Sequence, residues 1–180
     1  MTFTWTQHRF AGGALALDVA NSVILRFDPA RSIDRFADRG QMDAFPKAAE
    51  AFSAERALFG SLQPARGENR ASFIALREAI DRYFRARVES HEDADDLAGL
   101  LEAIAAMLRL GNQASLEMAT AHSALRLLSD ETAERIRICG NCGWLFIDRS
   151  KNRSRIWCDM AICGNRVKAA RHYRSGKAKA

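Results

Sequence analysis

The sequence has no uninterrupted apolar run near the roughly 18–20 residues needed to span a bilayer, so no membrane-crossing helix is expected. It holds three prolines in 180 residues and shows neither an internal repeat nor a low-complexity linker, which argues against a solenoid and against domains strung on flexible chain. The first 138 residues lack cysteine. No two of the four histidines, His8, His91, His122 and His172, have the spacing of helical metal ligands. Gly12-Gly13 lacks the pattern of a phosphate-binding loop, and Ser22 has no visible base partner, so no catalytic residue is expected. A secretory leader is not expected either: Asp18 and Asn21 break the apolar stretch that begins at Ala11, and no small-x-small cleavage site follows. These features predict a cytoplasmic chain whose thiols stay reduced.

Hydrophobic residues make up 48% and charged residues 27%, close to the average for a folded domain, which excludes wholesale disorder. The net charge of +5 is unevenly placed. Residues 1–130 carry 15 basic and 18 acidic side chains, whereas residues 131–180 carry 12 and 4, so a slightly acidic body precedes a tail of net charge +8.

The body reads as helical. Phe45, Ala48, Phe52, Phe59 and Leu62 recur at helical spacing, as do Phe73, Leu76, Ile80, Phe84 and Val88, and then Leu97, Leu100, Leu101, Ile104 and Leu108. Asp43 and Ser72 are the expected caps of the first two helices, with Pro64, Gly67 and Asn69 between them. Gly13–Arg26 fits either a helix or a buried strand, with the spacing of Leu17, Ala20, Ile24 and Phe27 favouring the helix, and Asp28–Gln41 is read as an ordered surface loop. Gly111-Asn112 marks a break. After it, Leu116, Met118 and Thr120 fit either a strand or a restarted helix. Asp18 and Asn21, three apart in an apolar stretch, are either a satisfied core pair or the polar lining of a ligand pocket.

All four cysteines lie in the basic tail, as Cys139-x2-Cys142-x15-Cys158-x4-Cys163. Two thiol pairs at this separation suit one tetrahedral metal ion. Four soft thiolates favour a single structural Zn²⁺, because an all-cysteine shell leaves no open position for water or substrate. The alternative is a set of free or redox-active thiols. Trp144–Ile147 is expected as one strand and Arg155–Trp157 as its return, joined by a turn over Arg149–Asn152, with Gly140 and Gly143 supplying tight backbone at the metal.

A helix should follow Cys163. At 100° per residue, Arg166 shares a face with Ala169, Ala170 and Tyr173, while Lys168, Arg171 and His172 lie opposite. Arg166 and Tyr173 are therefore expected to face inward, the guanidinium donating to backbone carbonyls of the metal knuckle or to a carboxylate such as Asp148. Arg149, Lys151, Arg153, Lys168, Arg171 and His172 are expected to form an outward nucleic-acid-binding surface, the alternative being a merely solvated basic face.

The run from Cys139-Gly-Asn-Cys142 through Asn-Arg-Ser-Arg and Trp-Cys158-Asp-Met to Cys163-Gly164-Asn165-Arg166 resembles the CGNR zinc-finger family. Gly-Ala-Leu-Ala-Leu-Asp-Val-Ala-Asn-Ser resembles the ABATE-type domain that precedes such fingers, with Val19, Ala20 and Ser22 departing from its usual residues. The resemblance implies a bacterial zinc-binding transcription regulator that binds DNA. The expected fold class is mainly α: a helical regulatory domain over 1–130, which would sense a small-molecule effector near Asp18 and Asn21, and over 131–180 a small zinc finger of β-hairpin plus helix, treble-clef or zinc-ribbon-like. An RNA- or ribosome-associated zinc protein, and an enzymatic helical domain with a zinc appendage, remain the alternatives. Oligomeric state is not legible.

Overall fold

A computed structural model describes residues 3–110 and 112–177, with side chains as far as Tyr173. Seven α-helices and two small sheets lie among the described residues. Helix α1 (Leu15–Ala20) has every residue buried and packs on α4 (Arg70–Val88) and α6 (Leu116–Ser129). Helix α5 (Ala94–Leu110) lies along α4 and α6, and α2 (Arg39–Phe52) leads through the short α3 (Arg56–Phe59) into the loop before α4. Leu15, Leu17, Phe36, Phe45, Phe73, Leu76, Ile80, Phe84 and Leu100 are fully enclosed. Removing one such side chain from water contributes about 1.5–3 kcal/mol.

Helices α4 and α5 appear where the periodicity predicts, but the first expected run divides, with α2 ending at Phe52, Phe59 in α3 and Leu62 in the loop beyond, and the caps differ. Helix α2 begins one turn earlier than expected, where the Asp38 carboxylate accepts from Gln41 N, so Asp43 lies inside the helix. Ser72 is likewise inside α4, which starts at Arg70 without a side-chain cap. Gly111 lies outside the described residues; beyond it Ser115 Oγ accepts from Met118 N and starts a helix, not a strand. The alternation of Leu116, Met118 and Thr120 is misleading because the intervening Glu117 and Ala119 are buried as well. The 13–26 segment divides: α1 stops at Ala20, and β1 (Val23–Ile24) pairs antiparallel with β2 (Ile33–Asp34).

The second sheet corrects the expected hairpin. Strand β4 (Leu145–Ile147) forms as anticipated, but its antiparallel partner is β3 (Ile136–Ile138), upstream of the first cysteine, in the register Ile136↔Ile147, Arg137↔Phe146 and Ile138↔Leu145. Residues 155–157 are irregular and meet the Cys139–Cys142 loop through a bond from Gly140 N to Ile156 O, 3.1 Å. The Cys139–Cys142 segment is itself the reversal. Gly143 N donates to Cys139 O, Cys139 N to Trp144 O, and Gly143 adopts φ +75°, open to glycine at little cost. Helix α7 (Asn165–Lys177) follows a π-helical turn at Met160–Gly164. The carboxy-terminal hairpin is docked on the helical body: Ile136, Leu145 and Ile147 join the same apolar cluster as α1, α4 and α6.

Candidate metal centre and its surroundings

The hairpin reversal presents Cys139 and Cys142, the π-turn presents Cys163, and Cys158 stands just ahead of that turn. The four Sγ atoms lie within 4.8 Å of one another and all four residues are buried. Cys142 Sγ stands 3.7 Å from Cys158 Sγ, which is 3.7 Å from Cys163 Sγ. A tetrahedral zinc with bonds near 2.3 Å sets its sulfurs about 3.8 Å apart, whereas a disulfide needs about 2.05 Å. The donor set fits one zinc ion in a closed, four-thiolate shell. Zinc takes its sulfur ligands as thiolates, so four thiols gathered this closely would give up their protons on binding the ion.

One carboxylate shapes the second half of the site. Asp159 Oδ1 accepts from Ala161 N and Ile162 N, and its backbone carbonyl accepts from Cys163 N and Gly164 N. Its Oδ2 lies 2.9 Å from His8 Nδ1, across 151 residues of chain. Burial alone would raise the Asp159 carboxyl; the His8 contact and the two amides hold it below its ordinary value instead. His8 lacks a metal-ligand partner in sequence, and nothing in the local pattern indicated that it braces the cysteine loop.

Asn21 and Asp18 prove to be occupied by the protein itself. Asn21 Nδ2 donates to Leu145 O (2.8 Å) and its Oδ1 accepts from Leu145 N (3.0 Å), so a side-chain amide covers the outer edge of β4 as a neighbouring strand would. Ile147 N donates to Gly12 O beside it. Asp18 is fully enclosed and accepts from Gly12 N (2.9 Å) and Ser53 Oγ (3.2 Å). Burial pushes its carboxyl well above the usual range, with those two bonds opposing. Neither residue lines a described cavity. The contacts are those of a satisfied core pair, one of the two readings that the sequence allows. Three more bonds tie the body to the metal loop: Trp144 Nε1 to Val23 O, Leu25 N to Cys142 O, and an Arg85 guanidinium N–H to Gly143 O.

Asp148 is fully buried, but its partners are Ser150 N and Arg155 N, both at 2.8 Å, and not Arg166. Burial would raise this carboxyl, and bonds from Ser150 and Arg155 bring it below its ordinary value. Arg166 and Tyr173 are exposed, contrary to the inward orientation expected for both. The cause is the π-turn before α7, which packs Cys163 and Gly164 inward and leaves the first residues of the helix at the surface. Lys151, Arg153, Lys168, Arg171 and His172 are exposed as well. Arg149 is exposed and donates to Gly13 O at 2.9 Å. Gly140, expected to relax a left-handed turn, instead allows close approach: a Cβ there would stand 3.0 Å from the Trp157 ring.

No curated protein sequence matches the chain. Two family models do. One, the CGNR zinc finger, covers residues 135–175 and contains all four cysteines. The other, ABATE, described as "putative stress-induced transcription regulator", covers residues 13–137, more than half of the sequence. The chain therefore belongs to the ABATE family, and a CGNR zinc finger follows that domain.

Proposed function

We propose that the protein is a DNA-binding transcription regulator. In this reading the zinc module docks on phosphate through Lys151, Arg153, Lys168 and Arg171, with Arg149 and His172 beside them. The observation that carries the reading is an imbalance at the module's surface. Its carboxylates Asp148 and Asp159 are turned onto backbone amides. Among the described residues, none of Arg149, Lys151, Arg153, Lys168 and Arg171 is ion-paired with a carboxylate. Cations left without carboxylates on a rigid frame suit a polyanion, whose condensed counterions they displace.

The closed thiolate shell gives zinc a structural role and offers no vacant position for a substrate, which supports a binding protein over an enzyme. The helical body would act as the regulatory part, in a cytoplasmic setting that keeps the thiols reduced. Selection of bound sequences from random duplex DNA at physiological salt, run beside an RNA competitor, tests the reading. Recovery of a preferred duplex that RNA does not displace is expected. Displacement by RNA would favour a ribosome- or RNA-associated protein, and the absence of any retained nucleic acid would end both.

A further inference from the structure

Two large apolar side chains of the zinc module lie in solvent: Ile156 is 61% exposed and Met160 56%. One ring links them. Trp157 is half-buried and packs on the buried cluster of the four cysteines with Trp144 and Phe146. A Cβ on Gly140 would stand 3.0 Å from Trp157 Cζ3 and 3.4 Å from Ile156 Cγ2. A Cβ on Gly164 would overlap Met160 Sδ and stand 3.1 Å from Trp157 Cδ1. The glycines beside Cys139 and Cys163 thus seat Ile156 and Met160 at opposite ends of one indole. Their backbone is held as well. Ile156 O accepts from Gly140 N at 3.1 Å, and Asp159 Oδ1 caps the turn that Met160 opens. The result is an apolar ridge on a frame fixed by the metal loop, and solvated apolar surface of this kind marks a contact site.

Charge decides what the ridge meets. From Arg149 to Tyr173 the sole carboxylate in the sequence is Asp159, already engaged by Ala161 N, Ile162 N and His8. The exposed segment leading into Ile156 carries Lys151 and Arg153. Arg166 and Lys168, two and four residues beyond Gly164, are exposed too. Such a cationic setting opposes a second copy of the chain, since like charge would face like. It suits a polyanion that also offers apolar surface. Duplex DNA has both, with phosphates outside and stacked base faces within. Apolar side chains carried among cations enter a base step from the minor groove, unstack it and kink the duplex.

We propose that Ile156 and Met160, braced by Trp157, form an apolar wedge that inserts at a base step of bound DNA and bends it. The proposal rests on the DNA-binding reading above and adds its mode: cations hold the backbone, and the wedge supplies the non-ionic share of the affinity. The favoured duplex then carries an easily unstacked pyrimidine–purine step, recognised through its deformability.

The test uses the full zinc-loaded chain and the double variant Ile156→Ser/Met160→Ser, with zinc content measured first. Met160→Ser alone takes its place should the double variant lose zinc. A duplex with a central TA step, labelled at both ends, reports affinity across a salt series and bending through energy transfer between the dyes. Wild type should raise the transfer saturably. The variant should lose that rise and bind about tenfold more weakly. Its slope of log K against log salt should be unchanged, because no phosphate contact is removed. Equal binding by both proteins without a change in transfer would overturn the wedge and leave the DNA-binding reading standing. Absence of binding by wild type would overturn both. A wild-type dimer in sedimentation that the variant abolishes would assign the ridge to self-association and overturn the proposal.

Discussion

The carboxamide of Asn21 holds the backbone of Leu145 from both sides, accepting from its N–H at 3.0 Å and donating to its carbonyl at 2.8 Å. Asn21 is buried just beyond α1, and Leu145 opens the strand that follows the metal loop. Asn21→Leu removes both bonds and strands two buried backbone groups, at a cost of about 2–4 kcal/mol. Asn21→Asp keeps the acceptor but sets a carboxylate against the Leu145 carbonyl, so it should also destabilise. Urea denaturation followed by tryptophan fluorescence measures both. A variant as stable as the parent would return Asn21 to the role of ligand-pocket residue.

Asp18 should leave a signature in the pH dependence of stability. Burial raises its carboxyl in the folded protein, with the bonds from Gly12 and Ser53 opposing. As pH rises through the ordinary carboxylate range near 4, the unfolded chain releases its proton while the folded chain keeps it. The unfolded state then binds fewer protons, so this group's contribution to stability falls as pH increases toward its raised value. Asp34 and Glu78, held low by Arg77 and Arg26 against their own burial, contribute the opposite slope on the acid side. The informative quantity is accordingly the difference between wild type and Asp18→Asn. Relative to wild type, the variant should gain stability progressively from pH 4 upward; a difference that stays flat would contradict the buried, protonated assignment.

Gly143 has two reasons to remain glycine. Its φ is +75°, and an added Cβ would lie 2.8 Å from the Phe27 ring. Phe27 is 64% exposed and free to swing aside, so backbone strain should dominate. Gly143→Ala is expected to cost about 1–2 kcal/mol, and Phe27→Ala in the same chain should recover little of it. Thermal denaturation of the single and double variants separates the two causes.

Loss of one thiolate should reach beyond the finger. Cys158→Ser opens the zinc shell, and the buried cluster of Cys139, Cys142, Trp144 and Phe146 loses its organising ion. Because Trp144, Leu145 and Ile147 are bonded to Val23, Asn21 and Gly12, the helical body should lose stability too. A fall in Tm on the order of 10 °C is expected, with zinc stoichiometry reduced. Calorimetry that finds only a small local transition altered would show that the two parts are energetically independent.

The sequence makes the long helices and the metal ligands legible for opposite reasons. The periodic Leu and Phe residues of α4 and α5 report one-sided burial over four or five turns, a signal that averages out local noise. The cysteines report a chemistry that few arrangements other than a metal shell satisfy. The hairpin is misread because Ile136, Arg137 and Ile138 precede the first cysteine: three residues alternate too briefly to stand out, and the turn that pairs them with β4 is the metal loop itself. Arg166 is misplaced because helical phase gives relative directions along α7 but not which face the π-turn sets against the protein. The role of His8 depends on a contact across a long stretch of chain, to which local spacing is blind.

The most direct test is equilibrium binding of a labelled random-sequence duplex to the zinc-loaded full chain across a salt series, with Lys168→Ala/Arg171→Ala as the comparison. A log K that falls steeply and linearly with log salt is expected. In the double variant the slope should be shallower by about two, with affinity reduced at every salt concentration and zinc retained. Absent or salt-insensitive binding, or a double variant identical to wild type, would contradict a nucleic-acid surface built on the zinc module.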